Sequence, residues 1–196
     1  MTSGPGTPFA IPGPGPFPVR IRIETPGDEA GVGFVNRSAF PGPEEADIVD
    51  TIRADAPEGW HSIVAVGAPD STADGIVVGH LLLSPCRVDG ADGTVVATVL
   101  AIGPVAVLPE LQFRGVGGSL MAAAMSLAIA RGVPALVLLG HPTYYPRFGF
   151  VSARSVGLEP PAPEWPDSAW MARLLPAWTD AMRGTVRYHA AFEPLA

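Results

Sequence analysis

Val105-Ala-Val-Leu-Pro-Glu-Leu-Gln112-Phe113-Arg114-Gly115-Val116-Gly117-Gly118-Ser119-Leu-Met121 is the stretch on which the fold turns. An apolar, β-branched run ends at Pro109, and a glycine-rich turn then opens a long apolar helix. The first backbone N–H groups of that helix have no carbonyl to bond within it, and the positive end of the helix dipole lies behind them. Such a terminus binds phosphate. Gly115 and Gly117 let the backbone approach a bulky anion without a side chain in the way. Gln112 and Arg114 add donors beside it, and arginine suits phosphate geometry.

Two common phosphate motifs fail here. A Walker loop needs a lysine followed by Ser or Thr after its last glycine, and none follows. A dinucleotide turn needs a third glycine where this chain has Leu120. The plain alternative is a helix whose glycines only let its backbone pack closely on a strand.

Upstream of the turn, Thr94–Leu108 reads as one long apolar strand, interrupted at Gly103-Pro104, where a ladder breaks or bulges. Downstream, Leu120, Met121, Ala124, Leu127 and Ala128 share one helix face, the spacing of a helix packed on a sheet. Arg131-Gly132-Val-Pro134 ends that helix, and Ala135–Leu139 follows as a short buried strand parallel to the one before it. Val19–Glu24 alternates with period two and forms a first strand. Thr25-Pro26-x-Asp28-Glu29 starts a helix, and a second runs from about Pro43 to Ala54. Ile63–Gly67 and Ile76–Ser84 pair across a turn at Asp70–Gly75. After Phe150 come strand-like pieces broken by prolines, a loop over Pro160–Pro166 and a last strand at Gly184–His189. Residues 1–18, rich in Pro and Gly, cannot bury a core and read as a disordered tail, which leaves 19–196 as a single domain.

The spacing Gln112-x-x-Gly115-x-Gly117 resembles the acyl-CoA pyrophosphate loop of the GNAT superfamily of N-acetyltransferases. A second segment, Gly140-His141-Pro-Thr-Tyr144-Tyr145-Pro-Arg147-Phe148-Gly149-Phe150, resembles that family's later motif, in which a tyrosine lies five residues before the phenylalanine of a Gly-Phe pair. The likeness covers roughly residues 19 to 153, core motifs within 94–153 included, and is strongest to small bacterial stand-alone members. It implies an α/β (α+β) fold: a mixed, mostly antiparallel central sheet flanked by helices, whose parallel strands 4 and 5 splay apart. The pantetheine arm would enter that gap beside Ile102, Val105, Ala106 and Val107. Its amides would pair with backbone freed by the break at Gly103-Pro104, like an added strand. The pyrophosphate would lie on Gln112, Phe113, Arg114, Gly115, Val116, Gly117, Gly118 and Ser119, with Tyr145 and Phe148 facing the cofactor. Tyr145 matches the family tyrosine that points at the sulfur as general acid.

Composition narrows the partners. A net charge of −7 argues against nucleic acid or an anionic membrane and is compatible with a cationic amine acceptor. Cys86 is the only cysteine, so no internal disulfide or thiol zinc cluster can form, and four scattered histidines make no metal site. No run approaches the roughly 18 apolar residues of a membrane span. The N-terminus lacks the basic and apolar regions of a signal peptide, so a cytoplasmic location is expected.

Acyl transfer to an amine needs a base, because bringing a primary amine of pKa about 10.4 to its neutral form at pH 7 costs about 4.6 kcal/mol. A tetrahedral oxyanion follows, and a backbone N–H near Val107 is placed to stabilise it. Candidates for the base are Glu44 and Glu45 in the first turn of the second helix, His80 and His141. Acids in a first turn ordinarily just answer the helix dipole, and His80 has the setting of a satisfied sheet histidine. Cys86 has no paired base to make it a nucleophile. The leading expectation is an acetyl-CoA-dependent N-acetyltransferase with no metal, acting on a small-molecule amine or a protein lysine. The alternatives are the same fold using another acyl-CoA, or a CoA-thioester reaction such as decarboxylation, or a non-catalytic acyl-CoA-binding module. A homodimer is open.

Overall fold

The computed structural model describes residues 16–55, 58–67 and 75–195; the tail expected up to residue 15 and most of the turn at 70–75 lie outside them. In chain order the elements are β1 (Arg20–Ile23), α1 (Glu29–Ala39), α2 (Glu44–Asp55), β2 (His61–Gly67), β3 (Ile76–Asp89) and β4 (Val95–Val107). Then come α3 (Val116–Ala130), β5 (Ala135–Leu139), β6 (Val151–Ser152), β7 (Leu158–Glu159), β8 (Trp170–Leu174) and β9 (Gly184–Arg187), with short 3-10 turns between. Among the described residues the strands form one sheet in the order β1-β2-β3-β4-β5-β8-β6, with β9 joining β3 and β7. No helix among them is long and apolar enough to cross a membrane.

Side-chain alternation divides the helices between the two faces of the sheet. Ile63, Ala65, Leu81 and Leu83 cluster with Val116, Leu120, Met121 and Ala124 of α3. Val64, Val66 and Leu82 cluster with Val32, Ile48, Val49 and Ile52 of α1 and α2. Two ion pairs hold those helices to the sheet edge: Arg22 to Asp28 at 2.5 Å and Arg53 to Glu24 at 2.7 Å. The Arg22 guanidinium and the Thr25 backbone hold the Asp28 carboxyl far below the ordinary range.

β4 and β5 run parallel, but their register includes only Leu100↔Leu136 and Ala101↔Val137. β4 continues to Val107 while β5 ends at Leu139, so the two diverge and leave the edge of β4 unpaired on that side. On its other side β4 carries a bulge. Leu81 faces Val105 and Leu83 faces Ile102, so Gly103 and Pro104 together oppose Leu82. Glycine without a side chain and proline without an N–H suit that interruption.

One expectation needs correction. β3 does not end at Ser84 but runs to Asp89 through Pro85. Pairing with β2 stops at Leu83 and pairing with β9 begins at Arg87, so the missing N–H of Pro85 meets no neighbour on that edge. The strand next to β5 is β8, antiparallel to it and inserted ahead of β6. Trp170, fully buried, fixes β8 by donating its indole N–H to the Leu158 carbonyl at 2.8 Å.

Candidate active site

Two cavities open at the splayed end of β4 and β5. The larger, about 630 Å³, is a groove lined by Val105 and Val107 of β4, the turn from Gln112 to Gly118, and Tyr144, Tyr145, Arg147 and Phe148. The smaller, about 530 Å³, lies between the bulge of β4, the end of β5, α2 and the C-terminal segment. Phe40, Val105, His141 and Tyr145 line both.

The groove is made by backbone geometry. Gly115 caps α3 in the left-handed region, φ 86°, which costs a glycine no steric strain. Its carbonyl accepts from the Ser119 N–H at 3.0 Å, so the N–H groups before Ser119 are the open ones. Gln112 is tied back to the strand, donating to the Val107 carbonyl at 3.2 Å. A Cβ on Gly117 would stand 2.9 Å from the Tyr144 hydroxyl, which would have to shift to admit it. Phe113 also lines the groove; it holds φ 61° with its ring fully exposed, a conformation that costs a non-glycine residue about 1–2 kcal/mol.

The opposite wall is the 3-10 turn Tyr145–Phe148. The His141 carbonyl accepts from the Tyr144 N–H at 3.0 Å, and Arg173 of β8 donates to the Phe148 carbonyl. Arg147 stacks its guanidinium 4.4 Å from the Tyr144 ring centroid and donates Nε–H to the Tyr144 carbonyl at 2.9 Å. Tyr145 packs edge-on against Tyr144 at 5.0 Å and Phe150 at 5.9 Å. Burial pushes the Tyr145 phenol up to about 12. Gly140 makes room for it, since a Cβ there would lie 2.3 Å from the ring.

Other expected contacts fall elsewhere. Ala106 and Val116 are fully buried, so their side chains serve the core. Arg114 lies over the Phe17 ring at 5.2 Å, accepts the Phe17 N–H on its carbonyl and is outside the groove lining. Ser119 donates its hydroxyl to the Gly115 carbonyl at 3.2 Å and lies outside the groove lining. Ile102 lines the smaller cavity rather than the groove. Glu45 lines the smaller cavity, whereas Glu44 is exposed with its carboxylate against Gly42.

His80 is fully buried, with Nδ1 accepting from Asn36 at 3.0 Å and Nε2 donating to Ser62 Oγ at 2.9 Å. Burial lowers it to about 3, so it is a neutral structural group. Burial likewise raises the Cys86 thiol to about 12. Arg147, Phe40 and Tyr144 also line the groove, and the sequence alone had given none of them a role. The Tyr144-x-x-Arg147 spacing, one turn of a 3-10 helix, was the available signal for two of them.

A sequence model described as an acetyltransferase (GNAT) domain matches residues 20–153. The chain is 31% identical to the uncharacterised N-acetyltransferase YjhQ of Escherichia coli K12, over 85% of this chain and 90% of that one. Among solved structures, the GNAT family N-acetyltransferase YhbS of Escherichia coli, in complex with CoA, superposes with a TM-score of 0.77 at 26% identity, covering 98% of this chain and 96% of that one. A GNAT family acetyltransferase from Brucella melitensis, in complex with acetyl-CoA, gives 0.68 at 30% identity, covering 89% and 98%.

Proposed function

The chain belongs to the GNAT acetyltransferase family, and on that premise we propose that it moves an acetyl group from acetyl-CoA to a primary amine by direct attack on the thioester. One observation carries the reading: a phosphate-binding helix start and an unpaired strand edge lie along one groove, which meets a second cavity at four shared residues. The groove fits the donor. Open N–H groups of α3 and the Arg147 guanidinium suit the pyrophosphate, and the free edge of β4 at Val105 and Val107 suits the amide-rich pantetheine.

Acetyl-CoA supplies the activated acyl group, whose sulfur leaves as a thiolate of pKa about 8.5, like a cysteine thiol. Glu45, on the acceptor side, takes the proton of the incoming ammonium, directly or through water, and His141 at the junction is the second group able to do so. The amine nitrogen then bonds the carbonyl carbon, the carbon–sulfur bond breaks, and the second N–H proton passes through water to the departing thiolate, which leaves the neutral amide and the CoA thiol. The Tyr145 hydroxyl donates to the departing sulfur. A phenol near 12 would yield its proton to that thiolate uphill by about 4.8 kcal/mol, so Tyr145 acts by hydrogen bonding. An enzyme that consumes acetyl-CoA works where that donor is made, which supports a cytoplasmic setting.

Calorimetric titration with acetyl-CoA and CoA, with ATP and NAD as controls, tests the donor. Micromolar binding of the two CoA species alone is expected. Equal binding of ATP or NAD, or no CoA binding, overturns the reading.

A further inference from the structure

The smaller cavity differs from what an acceptor site for a polycation or a protein tail would need. Part of its wall is a row of edge-on rings: Trp165 meets Tyr188 at 5.7 Å, and Tyr188 meets Phe192 at 5.1 Å. Phe40 and Ile48 add apolar surface from the helix side. Among the described residues lining it, Glu45 is the one carboxylate, and no lysine or arginine joins it. The cavity therefore presents a single carboxylate, from α2, and an aromatic wall, within about 530 Å³, the volume of an ordinary small-molecule site.

We infer that the acceptor is a monocationic amine carried on an aromatic or bulky apolar body, an arylalkylamine in chemical class. This rests on the acetyl-transfer reading and refines it. One ammonium pairs with the Glu45 carboxylate. The body fills the space between Trp165, Tyr188 and Phe192 and removes that apolar surface from water. A polyamine or aminoglycoside would carry further ammonium groups into a wall with no second carboxylate, and an unpaired buried charge is expensive. A peptide lysine would bring an apolar stem of the right charge but leave the ring-lined end empty, its flanking backbone outside. The protein's net charge of −7 does not decide this, because only the lining of the cavity meets the amine.

The test is initial-rate thiol release at saturating acetyl-CoA with phenethylamine and tryptamine against spermidine, kanamycin and a lysine-containing peptide. The arylalkylamines are expected to exceed the others in kcat/KM by about tenfold or more, the scale on which an apolar pocket discriminates. Phe192→Ala should raise KM for phenethylamine several-fold while the CoA dissociation constant stays within twofold, and Trp165→Leu gives the same check from the other end of the wall. If CoA binds normally but phenethylamine is no better a substrate than spermidine or the peptide, the acceptor class is wrong and the acetyl-transfer reading survives. If CoA does not bind, both fall.

Discussion

Gly140→Ala is a one-methyl test of how Tyr145 is held. Gly140 has no left-handed backbone requirement, so alanine meets only a question of space. Its Cβ would lie 2.3 Å from Tyr145 Cε2, 3.0 Å from Cδ2 and 3.1 Å from Leu138 Cδ1. Ordinary contact begins near 3.4 Å, so the ring must retreat by roughly 1.1 Å. It cannot retreat freely, because Tyr144 and Phe150 close on it edge-on from other sides. A displacement of about 1 Å at a reacting centre costs on the order of a hundredfold. The ceiling comes from the hydroxyl itself. A hydrogen bond to a charged group is worth about 1.5–3 kcal/mol, about ten- to 150-fold in rate, which is also the loss expected of Tyr145→Phe.

Gly140→Ala should therefore lower kcat ten- to a hundredfold, with overpacking costing about 1–3 kcal/mol of stability and the CoA dissociation constant little changed. The decisive measurement is the double-mutant cycle. In a Tyr145→Phe background no hydroxyl is left to misplace, so the alanine should slow turnover further by less than about threefold. Equal effects of Gly140→Ala in both backgrounds, or a wild-type kcat for the single variant, would refute the idea that Gly140 serves Tyr145.

Gly117→Asp should abolish CoA binding with the melting temperature lowered only slightly, because the carboxylate would occupy the space shared with the Tyr144 hydroxyl and repel a pyrophosphate; normal CoA affinity would put the phosphate site elsewhere. Arg147→Ala should weaken CoA binding by about three- to tenfold at low salt and flatten its salt dependence, and identical titrations of variant and wild type at 50 and 300 mM salt would remove Arg147 from the site. His80 makes a pH prediction: its folded pKa, about 3, lies below the unfolded value of about 6.5, so its contribution is present above pH 6.5 and lost as pH falls. By pH 4.5 the protein should have lost about 2–3 kcal/mol, with half-buried His61 acting in the same direction and Asp28 not yet titrating. A urea midpoint that holds constant from pH 7 to 4.5 would contradict a neutral buried His80.

The backbone of the groove proposed for the donor was legible because it is built from local geometry. A positive-φ glycine, a helix start and a bulge are each specified by residues a few positions apart, and Gly115, Gly117 and Gly103-Pro104 announced them. Spacing put Arg114 beside the phosphate turn, and only the fold shows its guanidinium over the Phe17 ring. The acceptor half left no such mark. Glu45 was a candidate base from its helix position, but Phe40, Trp165, Tyr188 and Phe192 come from separate segments, and each alone reads as an ordinary core or surface residue. What gathers them is sheet order: β8 inserts beside β5, and the turn at Ala190–Leu195 packs against α2. Neither pairing has a sequence signature.

That division has a consequence for how such a site can change. The groove and the cavity share only Phe40, Val105, His141 and Tyr145. The remaining groove residues sit on α1, β4, the Gln112–Gly115 turn, α3 and the 3-10 turn, the last held by Arg173. The remaining cavity residues sit partly on the β4 bulge and the end of β5 and partly on α2, the 160–169 loop and the C-terminal turn, and Glu45, Trp165 and Phe192 of the latter group are not in the α3-face core. Substitutions at Glu45, Trp165 or Phe192 can therefore alter which amine is accepted while the groove keeps its shape. Donor affinity and acceptor choice should vary independently except at the four shared positions, where a change in either must be felt in both.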